Sequence, residues 1–579
     1  MSKTSSSRAR IKKNKTVEGA LREWEEKVRR PSLEKMPETR AEFKTFSGYK
    51  VEPIYTPADL QGIDYVRDIG FPGQFPFTRG RMPNGYRSFE WPHDFYAGYG
   101  SSESANERFR DLINHGANVI TLAFDLPTQI GLDSDDRLAK GEVGKVGVAL
   151  ATLADAERTL EGIDLAKVGI GFVGNGVAAY VLSLMLALAE KRGIDPAYMK
   201  KFKIQNDPIR EYQGRGTYIF PVPMALELST DVVEHICRNF EDKWYLQWVP
   251  QYVCTGQMRS GGVSASQEIG FGIANFLTYI DSSLSRGLPM NSFVPKMELH
   301  TEAWADVFEE VAKFRAARRL WAKLMKEKYD CEDPDVCGLR LSTYAAIRQQ
   351  TAQQPMNNLA RITMQVLSAV LGGIEHTWAP AFDEALALPT SESTRVANQI
   401  KLILHNECGL QNTVDPLGGS YYVEKLTSQI EEEARHWIEE VEKRGGVIKA
   451  IESGFFLAQE MEGLYKYQKS IESGERKILG INYLQKEEEI PIDIFQVDPR
   501  DEERQVERLK SLRQKRDNQL VRQRLEAIGE AAVKKTQNAK GVNLVPSVLE
   551  AVRANATIGE IYGVLRKVFG EFKGLPSIK

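Results

Sequence analysis

The sequence predicts an α/β fold: a (β/α)8 TIM barrel with an N-terminal arm and a C-terminal helical region. Three observations predict it. The chain has 579 residues, more than one ordinary compact domain, which leaves room for a barrel of roughly 250–400 residues. Short apolar runs alternate with segments of helical period through the middle of the chain, as in a parallel sheet covered by helices. After about residue 395 the strand-like runs stop and long charged helical segments follow. The expected organisation is an arm over residues 1–60, partly disordered, a substrate-binding barrel over 61–395, and a helical region over 396–579. An open doubly wound sheet is the second choice.

The elements follow in order. Residues 1–15 are rich in Ser, Arg and Lys and read as a disordered basic tail without the apolar core of a signal peptide. Glu18 to Arg29 places Leu21, Trp24 and Val28 at helical spacing. Residues 71–100 combine Gly, Pro and aromatics, an ordered loop whose rings need a core to pack on. Buried strands are expected at Val119–Phe124, Val168–Val173, Lys203–Gln205, Leu246–Val253 and Leu339–Ser342. Helices are expected at 103–114, 177–190, 266–280, 303–328 and 355–371. Further helices are expected at 425–475, 500–530 and, as an amphipathic pair, 546–573. The mixed charges of 501–526 read as a solvated helix face.

Composition excludes several classes. The net charge is −3, so no global basic field attracts nucleic acid or anionic lipid. No apolar run approaches the roughly 18 residues of a membrane span. The five cysteines, Cys237, Cys254, Cys331, Cys337 and Cys408, are too sparse for a disulfide framework and point to a reducing, cytoplasmic setting. No His or Cys pairing completes a zinc pattern, and no metal site is expected.

In a parallel barrel, chemistry gathers at the C-terminal ends of the strands. The residues just past the expected strands are Asp125 to Gln129, Gly174-Asn175-Gly176, Gln205-Asn206-Asp207 with Arg210, Glu211 and Arg215, and Cys254 to Gln257. Lys296, Glu298, His300, Tyr344, Glu375, His376 and Glu384 come later. Alone these are weak signals. The GNG turn lacks the rest of a dinucleotide fingerprint, and the acidic run Asp133 to Asp136 reads as helix capping rather than a cation loop. A histidine beside Trp378 is more often packed than catalytic.

A longer pattern carries more. AFDLPTQIGLDSDD (123–136) resembles AFDLPTHRGYDSD of the methylmalonyl-CoA mutases. The likeness continues through EVGKVGVAL (142–150), the NG pair at 175–176, and IQNDPIREYQGRGTYIFP (204–221), similar to the family's IQNDILKEF…RNTYIYP. It runs on through FRAARRLWAKLMKE (314–327), DEALALPT (383–390), DPLGGSYYVEKLT (415–427) and EEVEKRGGVIKAIESGFF (439–456). The resemblance implies a (β/α)8 barrel along which the pantetheine of an acyl-CoA threads, with adenosylcobalamin bound across the barrel mouth by a second domain. That domain carries a DxHxxG motif, and none of this chain's seven histidines sits in one. The resemblance therefore implies a two-component enzyme with no cobalamin-binding domain in this chain, as in the isobutyryl-CoA and 2-hydroxyisobutyryl-CoA mutases. Its partner would be a cobalamin-binding small subunit, in a heterotetramer of two large and two small subunits.

Matched residue by residue, the resemblance implies that Tyr96 stacks between substrate and corrin. It implies that Arg215 clamps a substrate carboxylate, a task suited to a bidentate guanidinium. Gln205 and Asn175 would line the substrate pocket, Phe124 would lie under the corrin, and Glu384 would lie near the adenosyl ribose. Other positions depart from the pattern. The family's RPWTIRQYAGF is FEWPHDFYAGY here, placing Phe89, Pro92 and Asp94 where CoA contacts are expected, and a further CoA-side arginine is Lys296. The family's SGYH is CTGQ, so Gln257 stands where a histidine donates to the thioester, and an amide can donate but cannot act as a general acid. Tyr344, Glu375 and His376 fall in two further altered stretches, where His376 or His300 could supply a relocated donor. The expected function is the large subunit of a mutase isomerising a carboxylate-bearing acyl-CoA by a radical 1,2-shift in a remodelled pocket. The alternatives are a non-catalytic paralogue acting as a scaffold, or a mutase for a plain or hydroxy acyl-CoA.

Overall fold

The computed structural model describes residues 16–574 apart from 89–90, 92–93, 197–198, 241–247, 487–496, 538 and 540. The expectations for the basic tail, Phe89 and Pro92 lie outside the described residues. The architecture is a mixed α/β fold with two parallel sheets and many helices. The first sheet holds β1 (Asp94–Ala97), β2 (Val119–Leu122), β3 (Gly169–Phe172), β4 (Phe202–Ile204) and β5 (Trp248–Val249), in that order. The second holds β6 (Tyr252–Cys254), β7 (Glu298–Ala303), β8 (Leu341–Ala345) and β9 (His376–Trp378). Strands β5 and β6 follow one another, parted by Pro250 and Gln251, where proline offers no N–H to a ladder. The chain thus passes through eight successive strand positions. At its two extremes, Asp94 of β1 and His376 of β9 approach to 3.2 Å.

Strands β1, β7 and β9 were not expected. Their inward positions carry Asp94, Tyr96, Glu298, His300, Glu302 and His376, which break the apolar run that marks a buried strand. In β7 all six residues are nonetheless buried. The expected helix at 303–328 begins only at Val307 because β7 occupies the residues before it.

The helix Ala178–Lys191 is buried from Ala178 through Ala189, as an all-round apolar helix must be. It packs against β4 and against the helix Val545–Arg553, in one continuous core that also holds Ile561 and Leu565 of the last helix. The helix Tyr421–Lys443 repeats Val423, Leu426, Ile430, Ala434, Ile438 and Val441 at helical spacing. These pack into the core shared with the helices Ala265–Ser285 and Val307–Tyr329. The C-terminal helices are therefore part of the layer that clothes the sheets.

Two family-like motifs serve this packing. Arg315 pairs with Asp415 and Glu424, tying FRAARRLW to DPLGGSYYVE through buried charges. The acidic run at 133–136 caps another helix. Asp133 accepts from the Gly559 N–H at 2.8 Å and from Thr557 Oγ1 at 2.6 Å, and pairs with Arg513 at 2.6 Å. Among the described residues there is no His, Cys, Asp and Glu group able to hold a metal ion, and no helix is long and apolar enough to cross a membrane.

Candidate active site

A cavity of about 420 Å³ lies among the strands, lined from the first residues of β1, β6 and β9 to the segments that follow the C-terminal strand ends. Strand alternation supplies its walls: successive side chains point to opposite faces, so every second residue enters the cavity. Asp94 and Tyr96 come from β1, Thr121 from β2, Lys203 and Gln205 from the end of β4, Tyr252 and Cys254 from β6, His300 from β7, Tyr344 from β8, and His376 and Trp378 from β9. The segments that follow the strands add Arg210, Arg215, Gln257, Ser260, Arg348 and Glu384.

The deepest layer is polar and interlocked. Lys203 Nζ lies 3.0 Å from Glu298 Oε1 and 3.6 Å from the centre of the Tyr252 ring. Thr121 Oγ1 donates to Asp94 Oδ1 at 2.9 Å, and His300 Nδ1 meets Ser342 Oγ at 2.8 Å. Burial pushes the Asp94 carboxyl up, but the His376 contact and the Lys203 and Lys201 charges overcome this and hold it well below its usual range. Burial drives the His376 imidazole down, helped by the same lysines, so it is neutral at pH 7. Burial and Lys203 likewise keep His300 neutral. Both His376 ring nitrogens are buried without a well-formed hydrogen bond; the 3.2 Å approach of Nε2 to Asp94 is close, but off the line of one.

The upper layer holds the guanidinium groups. Arg210 Nη1 donates to Gln205 Oε1, while its buried Nε has no partner. Arg210 makes no ion pair with a carboxylate among the described residues. Arg215 donates to Gln129 Oε1 and to Thr217 Oγ1, and stands 3.7 Å from Glu211. Glu211 is in turn held by Asn175 and Thr217. Two sites therefore face an incoming anion, one a guanidinium without a carboxylate and one whose nearest carboxylate is already hydrogen-bonded elsewhere. Asp207 orders the turn below them. It accepts from the Cys254 N–H at 2.8 Å and from Tyr279 Oη at 2.7 Å, and burial raises its carboxyl to about 6.

Gln257 lies in the short helix Gly256–Gly261. Its Oε1 accepts from Cys254 Sγ at 3.2 Å, leaving the amide nitrogen as a donor. A side chain at Gly256 would place Cβ 2.3 Å from Tyr344 Oη, so glycine there lets the tyrosine reach the cavity. At the rim Trp378 meets the Tyr96 ring edge-on at 5.5 Å. Burial and Asp383 raise the Glu384 carboxyl to about 7, and that carboxyl has no hydrogen-bond partner among the described residues.

Of the residues expected from sequence, the structure brings Tyr96, Gln257, His376, Arg215, Gln205, Tyr344 and Glu384 to one cavity. Four stand elsewhere. Glu375 precedes an inward histidine on a strand, so alternation turns it outward, where Arg81 holds it at 2.9 Å. Lys296 is buried in the turn Val294–Lys296 at the opposite end of β7. Asn175 supports Glu211 from outside the cavity. Phe124 is fully buried, its ring 5.7 Å from Phe172 in the core. Sequence reasoning placed no role on Lys203 or Tyr252, and it named Arg210 only as a residue past a strand and Asp94 only as an altered CoA-side position. Their signal was period-two alternation, interrupted by the charges themselves.

The family model described as methylmalonyl-CoA mutase matches residues 44–571. The "2-hydroxyisobutanoyl-CoA mutase large subunit" of Aquincola tertiaricarbonis is 37% identical over 563 residues, spanning 97% of this chain and 98% of that protein. The methylmalonyl-CoA mutase of Rhizobium meliloti is 34% identical, over 97% of this chain and 77% of its own length. The mitochondrial methylmalonyl-CoA mutase of Homo sapiens is 32% identical, over 95% and 72% respectively. With nearly the whole length matched and a cavity among the strands, the chain belongs to the methylmalonyl-CoA mutase family.

Proposed function

We propose that the chain is the large subunit of an acyl-CoA mutase that moves a group between neighbouring carbons of a carboxylate-bearing acyl substrate. The nine strands are read as one closed (β/α)8 barrel in which β5 and β6 share a position. The observation that carries the substrate reading is the pair Arg210 and Arg215 lining one cavity with Tyr96 and Gln257. A guanidinium fork suits a carboxylate, and the Gln257 amide can donate to an acyl carbonyl.

The cofactor proposed is adenosylcobalamin, held mainly by a separate cobalamin-binding small subunit, and when bound it supplies the radical chemistry that these side chains lack. The rim fits such a group. The Glu384 carboxyl, raised to about 7 and without a hydrogen-bond partner among the described residues, suits a ribose hydroxyl. Tyr96 and Trp378 present aromatic surface beside it. This chain's residues bind and orient the substrate, and their aromatic rim excludes water from it. A heterotetrameric assembly in the cytoplasm completes the proposal.

The test is reconstitution. The purified chain, a cobalamin-binding small subunit and adenosylcobalamin are incubated with a panel of acyl-CoA esters, and the acyl products are resolved by mass spectrometry. Carbon-skeleton isomerisation of a carboxylate-bearing ester supports the reading and excludes a scaffold. Binding of no acyl substrate would contradict it.

A further inference from the structure

A second cavity, of about 580 Å³, lies outside the one described above and shares no lining residue with it. The two adjoin along the chain, because Arg348 lines the first and Gln349 the second. The second is walled by the N-terminal arm at 40–46 and by the helix Asn358–Leu371. The end of the helix Phe455–Glu472 and the residues after it complete the wall.

One wall is a clamped guanidinium. Arg476 lies 4.0 Å from the centre of the Phe46 ring and 4.8 Å from that of Tyr467, and ring faces attract a cation. Trp304, buried just past β7, meets both rings edge-on, Phe46 at 6.3 Å and Tyr467 at 5.7 Å. The clamp is thereby fixed to the sheet. Arg476 Nη1 is buried with no hydrogen-bond partner. Such a donor has lost water without gaining an acceptor. Burial also opposes the Arg476 charge, and the side chain makes no ion pair with a carboxylate among the described residues.

The charge balance of the lining points the same way. Arg40, Lys44, Arg361, Arg476 and Lys477 stand against Glu42 and Glu475. Lys44 already holds Glu42 at 2.7 Å. Arg361 donates to neutral acceptors, Thr351 Oγ1 at 3.0 Å, Asn358 Oδ1 at 2.7 Å and the Leu479 carbonyl at 3.0 Å, so its charge is not cancelled. Asp306 and Glu309 lie within electrostatic reach of Arg476. The N–H groups of Phe46 and Ser47 and the Arg259 guanidinium engage them already.

We infer that this cavity binds a phosphate-bearing anion of nucleotide size, with Arg476 as its anchor. A guanidinium fork matches phosphate oxygens, and the excess of cations suits a ligand with more than one negative charge. The volume lies in the range of small-molecule sites. The inference does not depend on the mutase reading and assigns no step of the reaction to this site.

Calorimetric titration of the purified chain with inorganic pyrophosphate, ADP and adenosine tests it. Pyrophosphate and ADP are expected to bind and adenosine not, with affinity falling as NaCl is raised. Arg476→Gln should weaken both anions by about tenfold or more. Arg476→Lys keeps the charge, loses the fork and should restore part of the loss. Should Arg476→Gln fail to fold, Arg40→Glu combined with Lys477→Glu, both exposed, should weaken both anions by about threefold or more. Equal affinity for the two anions assigns the site to phosphate groups alone, and ADP bound about tenfold tighter assigns it to nucleotides.

Binding of neither anion at about 1 mM would overturn the inference, as would adenosine bound as tightly as ADP. Binding lost in Arg215→Gln but kept in Arg476→Gln would place the anion in the first cavity and overturn it equally. Capture of a polyglutamate peptide in place of both anions would overturn it in favour of docking by an acidic protein segment.

Discussion

The Asp94 carboxylate and the His376 imidazole meet at 3.2 Å between the first and last strands. Both side chains are buried, and Thr121 holds the second Asp94 oxygen at 2.9 Å. Asp94 is kept ionised although burial opposes it. A group whose folded pKa lies below its unfolded value stabilises the fold above the unfolded pKa and loses that contribution as pH falls through the folded one. Asp94→Asn should therefore destabilise the protein at pH 7 by about 1–2 kcal/mol, the cost of replacing the charged acceptor of the Thr121 hydrogen bond by a neutral one. It should also flatten the acid limb of a Tm-against-pH curve. An unchanged Tm at pH 7 would show that the contact contributes nothing.

Arg215 donates to Gln129 and Thr217 and stands 3.7 Å from Glu211. If a substrate carboxylate docks there, Arg215→Gln should cost about 2–5 kcal/mol in binding or transition-state stabilisation, enough to abolish measurable turnover of a dicarboxylic acyl substrate. Kinetics like the parent's would place no carboxylate at this residue.

Glu384 gives the cavity a pH dependence near neutrality. Its carboxyl is raised to about 7, so it is mostly neutral below pH 7 and adds negative charge above it. Binding of an anionic ligand should weaken as pH rises from 6 to 8, by up to about tenfold. Glu384→Gln should remove that dependence while keeping the affinity seen at low pH. A parent affinity flat across this interval would contradict the assignment.

Glu460 tests the packing over the site. It is buried in the helix Phe455–Glu472, with one oxygen lacking any hydrogen bond. A Cβ at Gly261 would fall 2.7 Å from its other oxygen. Burial raises its carboxyl to about 9. The folded state then holds a proton that the unfolded state has released, so stability falls as pH rises from the unfolded value near 4.5 toward 9. Glu460→Gln should raise stability at pH 8 by about 1–3 kcal/mol and flatten this slope in urea denaturation. Destabilisation at pH 8 would show that the carboxylate is satisfied.

Local pattern made part of this protein legible. The apolar runs of β2 and β3 and the helix from Ala178 stand out because the residues around them are mostly apolar and buried. The paired apolar positions of Tyr421–Lys443 are equally plain, but nothing in them says that their partners are the helices around β6 and β7. Strands β1, β7 and β9 were hidden because the residues that make them useful, Asp94, Tyr96, His300 and His376, are polar and face a cavity. Arg215, Gln205, Tyr96 and Glu384 came from motif likeness. The Lys203–Glu298 bridge joins residues 95 apart in the chain, and only the strand register brings them together. Glu375 turns away from the cavity because likeness fixes position along the chain and leaves the facing of each side chain to the strand.

The most direct measurement is reconstituted turnover. The chain is combined with a cobalamin-binding small subunit and adenosylcobalamin, supplied with a carboxylate-bearing acyl-CoA, and followed by mass spectrometry with a carbon-13 label in the acyl chain. The account predicts that the label moves to the neighbouring carbon with the parent and not with Arg215→Gln. A folded, cofactor-loaded pair that binds the substrate and leaves the label where it began would contradict it.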